Sequence, residues 1–502
     1  MRIFLFFLLF SSLFITDSSA QVLPLEGSTL HYCIIPFTFP TVKSSNYKIR
    51  IAEGNFNSDD VFRKNVIKTV NSKKNKLIIE IPGFGKQYTW CVTTPEMPKP
   101  VFYHFSVATM SLVDTVKTRL SIKLGAAKYR DDYVFVDGSR VLYDMQGNPV
   151  WYLPNFEGMI RNNTAVRDIK LSCKNTITFM FEGEAWEINY NGDILWKGPN
   201  GRHQVHADTL EGYHHELTRL SNGNYMLLGL EPIARPQRDS LRFRTSIDSA
   251  GRRKVPNRKA RCGTIVEYNE KGNMVWHWNS ARYLDTIDPA LLRKPNVRPA
   301  NDAHENSFFF DEKNKCVYLS FRNINQVIRI SYPDGAVLNV YGNSTDSANV
   351  FWDTLFCGQH SCNISSDGYL YLFDNGCDIS MPPKVIILKQ PLSHKDTMKE
   401  IWQYSCPVTP VKVDMAQFAG RLMPFTTGGN VIELPGHDMF VSTCNPYSEL
   451  FIVSENKKLL WDAALEKRGQ GTKIWEPSVL YRASIITHQQ LENLIWSGVS
   501  SK

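Results

Sequence analysis

At 502 residues with 43% hydrophobic content, the chain has enough apolar material for one large β domain and a smaller one, which excludes a disordered protein. Its formal net charge of +8 is modest for that length; it favours anionic ligands only weakly and lacks the sharp basic pattern of a nucleic-acid-binding protein. Beyond the N-terminal segment no stretch approaches the roughly 20 apolar residues of a membrane-spanning helix, so no membrane anchor is expected.

Met1-Arg2, the apolar run Ile3–Phe10 and the small residues Ser18-Ser19-Ala20 form the pattern of a secretory signal peptide over residues 1–20, with cleavage after Ala20. The mature protein is therefore expected to be periplasmic or secreted. Gln21, not Cys, follows the cleavage point, which argues against a lipoprotein anchor. Ten cysteines in an exported chain permit disulfides, and Cys33 with Cys91 and Cys357 with Cys362 are the first pairs to test.

Residues 21–118 carry short β-rich runs, such as Tyr47–Ala52 and Tyr88–Val92, separated by Asn, Ser and Gly; they predict a small N-terminal β-sandwich. A repeat occupies residues 119–486. Its clearest part is a strand, an Asn/Gly turn and a closing strand that ends in an aromatic residue: Arg140–Trp151, Ala185–Trp196 and Thr264–Trp276, with further copies ending at Tyr341, Trp402 and Trp461. Strand cassettes recurring at roughly 45 to 65 residues fit propeller blades better than a helical solenoid. The fold class expected is all-β, a six-bladed β-propeller after the sandwich, with the aromatic endings packed between blades. The stretch Ile474–Ile485 is suited to supply a strand that closes the ring, and a tail over residues 487–502 begins as a short helix. A basic run from Arg235 to Arg261 reads as a solvated insertion before it reads as an anion funnel.

In a propeller the first strand of each blade lines the central channel, so the starts of the repeats hold the chemistry. Three of them carry histidine: His215 in His214-His215-Glu216, His304 in Ala303-His304-Glu305-Asn306, and His360 in Gly358-Gln359-His360-Ser361. Counted back from the turn glycines, His215 and His360 share a repeat position, and the same count from Gly436 reaches Gly428 beside Thr427. Arg322 follows His304 in the same blade, and its planar fork of donors matches a sulfate or phosphate oxyanion. Such a set suits group transfer from an anionic ester. His203 and His206 lack a third ligand in any recognisable zinc pattern, so no metal is expected.

The segments around His215, His304 with Asn306 and Arg322, and His360 resemble the active-site motifs of the bacterial PAPS-independent arylsulfate sulfotransferases, over nearly the whole mature chain. The resemblance implies transfer of a sulfuryl group from a phenolic sulfate donor to a phenolic acceptor, with neither PAPS nor another cofactor. It implies His360 as the histidine that becomes sulfated, Arg322 and Asn306 on the sulfuryl oxygens with His304, and His215 in proton transfer. Thr427 and Trp352 are expected to contact substrate, in a channel with Phe351 and Phe356. Family members commonly carry an acidic residue after the sulfated histidine; Ser361 stands here, so an orienting carboxylate must come from elsewhere. The formylglycine motif of sulfatases is absent, and Pro82–Lys86 is a strand-end turn rather than a phosphate-cradling loop. The rival reading is a non-catalytic propeller that binds glycans or partner proteins. A homo-oligomer is left open.

Overall fold

The computed structural model describes residues 21–500 except 42–45, 111–117, 126, 157–165, 200–211, 234–245, 248–252, 255–259, 285, 287–302, 343–354, 377–381, 392–397, 409–427, 445–446, 469–470 and 472; residues 232–262, where described, are described by backbone alone. The expected signal peptide and most of the basic run lie outside the described residues, as do His203, His206, Phe351, Trp352 and Thr427. The chain is all-β, and its helices among the described residues are Asp59–Lys64, Ala281–Leu284 and His488–Ser500. None is long and apolar enough to cross a membrane. It divides into two compact units, Met1–Thr109 and Met110–Lys502.

In the first unit a five-stranded sheet contains Lys86–Thr93 paired with Tyr47–Glu53 and Val101–Val107, and a two-stranded sheet pairs Ile34–Thr38 with Lys76–Glu80. Phe37 of the small sheet meets Trp90 of the large one edge to face, centroids 5.0 Å apart. Side chains alternate faces along a strand. Cys91, next to Trp90, therefore turns away from the small sheet and packs with Ala52 and Phe62. Cys33 and Cys91 are both buried free thiols, so the expected bridge between them does not exist.

The second unit is a series of antiparallel sheets in chain order. Five follow the sequence directly: Val166–Leu171 to Ile194–Lys197, Tyr213–Arg219 to Met274–Asn279, Glu305–Asp311 to Val337–Gly342, His360–Ile364 to Lys399–Ser405, and Asn430–Glu433 to Leu459–Arg468, the last extended by Trp475–Pro477 and Thr118–Leu124. Besides the two-stranded pair of Ser246–Ile247 with Arg253–Lys254, a further sheet joins the two ends of the unit, because Ala483–Ile486 pairs with Tyr133–Val136 ahead of Val141–Asp144 and Pro149–Tyr152. The tail thus supplies a first strand that the start of the unit lacks.

The repeat's sequence explains its local geometry. Gly147, Gly192, Gly272 and Gly335 take φ values of 87°, 81°, 79° and 76°, and the hairpins they turn each carry a register shift beside Tyr143, Ile188, Tyr268 and Ile330. A left-handed residue followed by a bulge closes a short hairpin with the right twist, and glycine takes that conformation without a Cβ clash. The aromatic endings then join each sheet to the next. Trp151 Nε1 donates to Tyr190 O at 2.9 Å, Trp276 Nε1 to Pro333 O at 2.7 Å, and Trp402 Nε1 to Glu455 O at 2.7 Å. Trp196 stacks on Tyr225, and Tyr341 donates to Gln390 Oε1 at 2.9 Å. Trp461 of the last sheet donates to Met145 O of the first at 3.1 Å, and so completes the circuit. Trp151 and Trp461 are fully buried, and an indole that keeps a hydrogen-bond partner loses little of the gain from burial.

Candidate active site

The first strands of the sheets are neighbours. Val166–Leu171 lies against Ala483–Ile486 and Tyr213–Arg219, and the series continues through Glu305–Asp311 and His360–Ile364 to Asn430–Glu433. Four of these strands are bulged near their starts, with register breaks at Arg167/Lys170, Tyr213/Leu217, Glu305/Ser307 and His360/Asn363. At or beside each break a non-glycine residue adopts positive φ: Asp168 at 56°, His215 at 66°, His304 at 59° and Ser361 at 53°. Such conformations are uncommon for these residue types, and bulges of this kind re-aim side chains next to functional sites.

The result is a cluster of three imidazoles. The His215 ring stands edge-on to His304 with centroids 5.1 Å apart and lies 5.7 Å from the ring of His360. His214 joins through a 2.6 Å contact between the two Nδ1 atoms of the pair, one of which must carry the proton. Arg322 is held beside His304 by its backbone, whose N–H donates to His304 O at 3.0 Å. Asn306 is fully buried; its Nδ2 donates to Gln359 O at 2.7 Å and its backbone carbonyl accepts from Arg482. The sequence candidates His215, His304, Asn306, Arg322 and His360 are thus brought together. His277 and His437 are not part of the cluster; His437 pairs instead with Glu433.

Sequence reasoning missed the residues that surround His360. Tyr481 Oη lies 3.2 Å from Nε2 of His360, and Arg482 Nη2 lies 3.3 Å from its Nδ1. Both residues immediately precede the closing strand Ala483–Ile486, and their backbone N–H groups donate to the buried Asp137 carboxylate at 3.2 and 2.9 Å. Arg482 also bonds Asp168 Oδ1 at 3.0 Å and Glu216 Oε2 at 2.7 Å, while Lys170 Nζ reaches the other oxygens of the same carboxylates at 2.7 and 2.5 Å. The carboxylates nearest this side of His360 are therefore Asp168 and Glu216, and they bond Arg482 rather than the ring itself. The signal was present: Tyr481-Arg482 and Arg167-Asp168 stand at or just before the starts of first strands, where the histidines do.

The strand of His360 is tied down as firmly. Gln359 Nε2 donates to Ser320 Oγ, Phe321 O and Gln326 O at 3.1, 3.1 and 3.0 Å, and Gly358 N donates to Asn325 Oδ1 at 3.0 Å. Cys362 is a free, buried thiol beside Ser307. Cys357 is disulfide-bonded. The bridge between Cys357 and Cys362 expected from their bracketing of His360 is therefore absent; Cys362 packs instead against the neighbouring first strand.

Electrostatics fix the protonation states. Burial, then the charges of Arg482 and Arg322, hold His360 well below the ordinary histidine pKa. Burial, then His214, His304 and His360, do the same for His215. Both rings are neutral at pH 7 and retain a lone pair. Burial raises Tyr481, which stays a phenol. Burial opposes the charge on Arg482, but Glu216, Tyr481 and Asp168 outweigh it and keep the guanidinium charged. Glu216 is held ionised: burial alone would raise it, and Arg482 and Lys170 bring it down.

Buried neutral imidazoles beside guanidinium groups form a site for a nucleophile acting on an anionic group. A family model described as Arylsulfotransferase (ASST) matches residues 120–406, more than half of the chain. The chain belongs to the arylsulfotransferase family, which makes it a sulfotransferase enzyme at the level of the family. The matched span includes His215, His304, Asn306, Arg322 and His360 and stops short of Tyr481 and Arg482. No curated protein matches the chain. Among solved structures it is similar to a protein of unknown function from Bacteroides caccae at 10% identity and a TM-score of 0.40, over 74% of this chain and 99% of that one. It is also similar to the periplasmic gluconolactonase PpgL of Pseudomonas aeruginosa, at 8% identity and a TM-score of 0.29 over 81% and 82% of the two chains. Neither likeness bears on the chemistry.

Proposed function

We propose that this protein is a PAPS-independent arylsulfate sulfotransferase, in which a six-bladed β-propeller preceded by a small β-sandwich moves a sulfuryl group from a phenolic sulfate ester to a phenolic acceptor through a sulfohistidine at His360. The single observation that carries the reading is the convergence of His215, His304 and a neutral, buried His360 from three successive first strands. A glycan-binding propeller needs no such arrangement.

The mechanism follows from charge development. His360 attacks sulfur in line with the aryl oxygen; the N–S bond forms as the S–O bond breaks, and the phenolate takes up a proton. The acceptor phenol then attacks the sulfohistidine and returns the proton. Sulfuryl transfer of this kind, by analogy with phosphoryl transfer, leaves the protein positioning and electrostatic work. Arg322, Asn306 and His304 hold the sulfuryl oxygens, and Thr427 and Trp352 bind substrate. His215 carries the proton between ring and phenol, general acid-base work typically worth roughly 10²- to 10⁴-fold. Neither PAPS, another cofactor nor a metal takes part. Residues 1–20 export the chain to the periplasm or beyond, residues 21–118 form the sandwich, 119–486 the propeller and 487–502 the tail.

A colorimetric assay of the purified mature protein with an aryl sulfate and a phenol tests the reading. It requires phenol-dependent release of the donor's phenol and formation of the acceptor's sulfate ester with no nucleotide added. Absence of transfer across a broad panel of donors and acceptors would favour the binding propeller.

A further inference from the structure

Each nitrogen of His360 has one neighbour from the segment that leads into the closing strand, and the two neighbours differ in kind. Arg482 Nη2 lies 3.3 Å from Nδ1, and Tyr481 Oη lies 3.2 Å from Nε2. A guanidinium has donors and no acceptor, whereas a phenol hydroxyl can do either. Nδ1 must therefore accept, and the neutral ring carries its proton on Nε2, where Tyr481 can receive it. Arg482 cannot swing away to allow the other tautomer. The same guanidinium is fixed by Asp168 Oδ1 at 3.0 Å, Glu216 Oε2 at 2.7 Å and the Asn306 carbonyl at 3.0 Å, and Lys170 completes the set from the far side of both carboxylates. Arg482 is only 4% exposed. A buried cation this fully bonded is costly to displace.

We propose that Arg482 is a positioning residue that holds His360 in the Nε2–H tautomer and bars protonation of Nδ1, so that the sulfurylated ring is an uncharged N-sulfoimidazole rather than an N-sulfoimidazolium. The proposal rests on the reading of His360 as the sulfuryl carrier. The balance is complete within the site. The Nε2 proton first passes through the Tyr481 hydroxyl to His215; the electron pair left on Nε2, beside the Arg482 charge, then forms the N–S bond, the pair of the S–O bond leaves with the aryl oxygen, and His215 gives the proton to that oxygen. The second half-reaction runs the same steps in reverse. An uncharged imidazole departs as imidazolate unless a proton is returned to Nε2 as the bond breaks. Discharge is therefore coupled to an acceptor whose own proton reaches Nε2 through the same hydroxyl, and a stray water is a poor substitute. Arg482 thereby favours transfer over hydrolysis.

The resting tautomer is directly measurable. In the full-length mature protein with ¹⁵N-labelled histidine, long-range ¹H–¹⁵N spectra report which nitrogen of each ring bears the proton, and the signals that vanish in His360→Asn belong to His360. The expected result is one species with Nε2 protonated; a resting His360 protonated on Nδ1 overturns the proposal without any substitution at Arg482. Arg482→Met and Arg482→Lys add a second reading. After a donor-only pulse, the sulfurylated His360 of Arg482→Met should discharge to water on the order of tenfold faster than that of the native protein, since losing the charge beside Nδ1 raises the basicity of that nitrogen by about one pKa unit and lets it be protonated, so that neutral imidazole rather than imidazolate departs. Arg482→Lys, which still donates to Nδ1, should recover most of the lifetime. Equal lifetimes in all three proteins contradict the proposal. Normal turnover with no sulfurylated His360 in the native protein ends the underlying reading instead, whereas a sulfurylated His360 with an Nδ1–H resting ring ends only the role of Arg482.

Discussion

The ring of His215 stands edge-on to that of His304, with centroids 5.1 Å apart and an interplanar angle of 86°. The two residues come from adjacent first strands, and both adopt the left-handed backbone at their bulges. Protonating His215 would set a charge against His214, His304, His360 and Arg482, and the acid chemistry of the protein follows from that conflict.

Transfer should persist at pH values where an ordinary histidine is already protonated. His360 and His215 are held well below 6.5 in the folded protein, chiefly by burial. The acid limb of the kcat/KM profile should therefore fall well below that value. Stability has the opposite dependence. A histidine depressed on folding contributes its full stabilising share above its unfolded pKa, and that share is lost as the pH falls from about 6.5 toward the folded value. Denaturant titrations should show stability declining in the range where activity still holds; an acid limb of activity at or above the ordinary histidine value would contradict this.

His360→Asn should lose donor cleavage and transfer together, by on the order of 10³-fold or more, as expected for removal of a nucleophile. The melting temperature should change little, because Gln359 and Gly358 anchor the strand through neighbouring atoms. Near-normal turnover in this variant would remove His360 from the chemistry.

Arg322→Lys should reduce kcat by roughly 10- to 100-fold with a smaller effect on stability, since a point charge replaces a planar fork that can hold two oxygens of a sulfuryl group. The backbone bond from residue 322 to the His304 carbonyl survives the substitution. An effect confined to KM would instead assign Arg322 to ground-state binding.

Gln359→Ala should lower the unfolding free energy by about 2–4 kcal/mol, because it removes the bonds that this buried amide makes to the Ser320 hydroxyl and to the carbonyls of Phe321 and Gln326. Because this amide anchors His360, kcat should fall as well. A stability loss without any loss of rate would mean that the strand is held in register by the ladder alone.

Much of this site is legible in the sequence. The strand cassettes, the turn glycines and the aromatic endings lead to His215, His304 and His360 because a repeat fixes which residues share a level of the fold. The same rule, applied to every first strand, also reaches Asp168 and Arg482. It stopped short because neither segment carries a histidine, and because Ala483–Ile486 belongs to a sheet whose other strands lie at the opposite end of the unit. Lys170 and Glu216 gain their meaning only from that long-range pairing. The cysteines illustrate a different limit. A disulfide depends on Cβ directions, and sequence spacing does not report them; Cys91 lies on the wrong face of its sheet to reach Cys33, and Cys362 is packed under Ser307.

The central claim, a covalent sulfuryl group on His360, is tested most directly by a rapid quench of the enzyme with an aryl sulfate and no acceptor, followed by peptide mapping and by two-substrate kinetics. The account predicts a burst of one equivalent of phenol, an acid-labile sulfuryl group on the peptide containing His360, and parallel double-reciprocal plots when donor and phenol are varied. No burst, no modified peptide and intersecting plots would contradict it, and would mean direct transfer between donor and acceptor held together in the site.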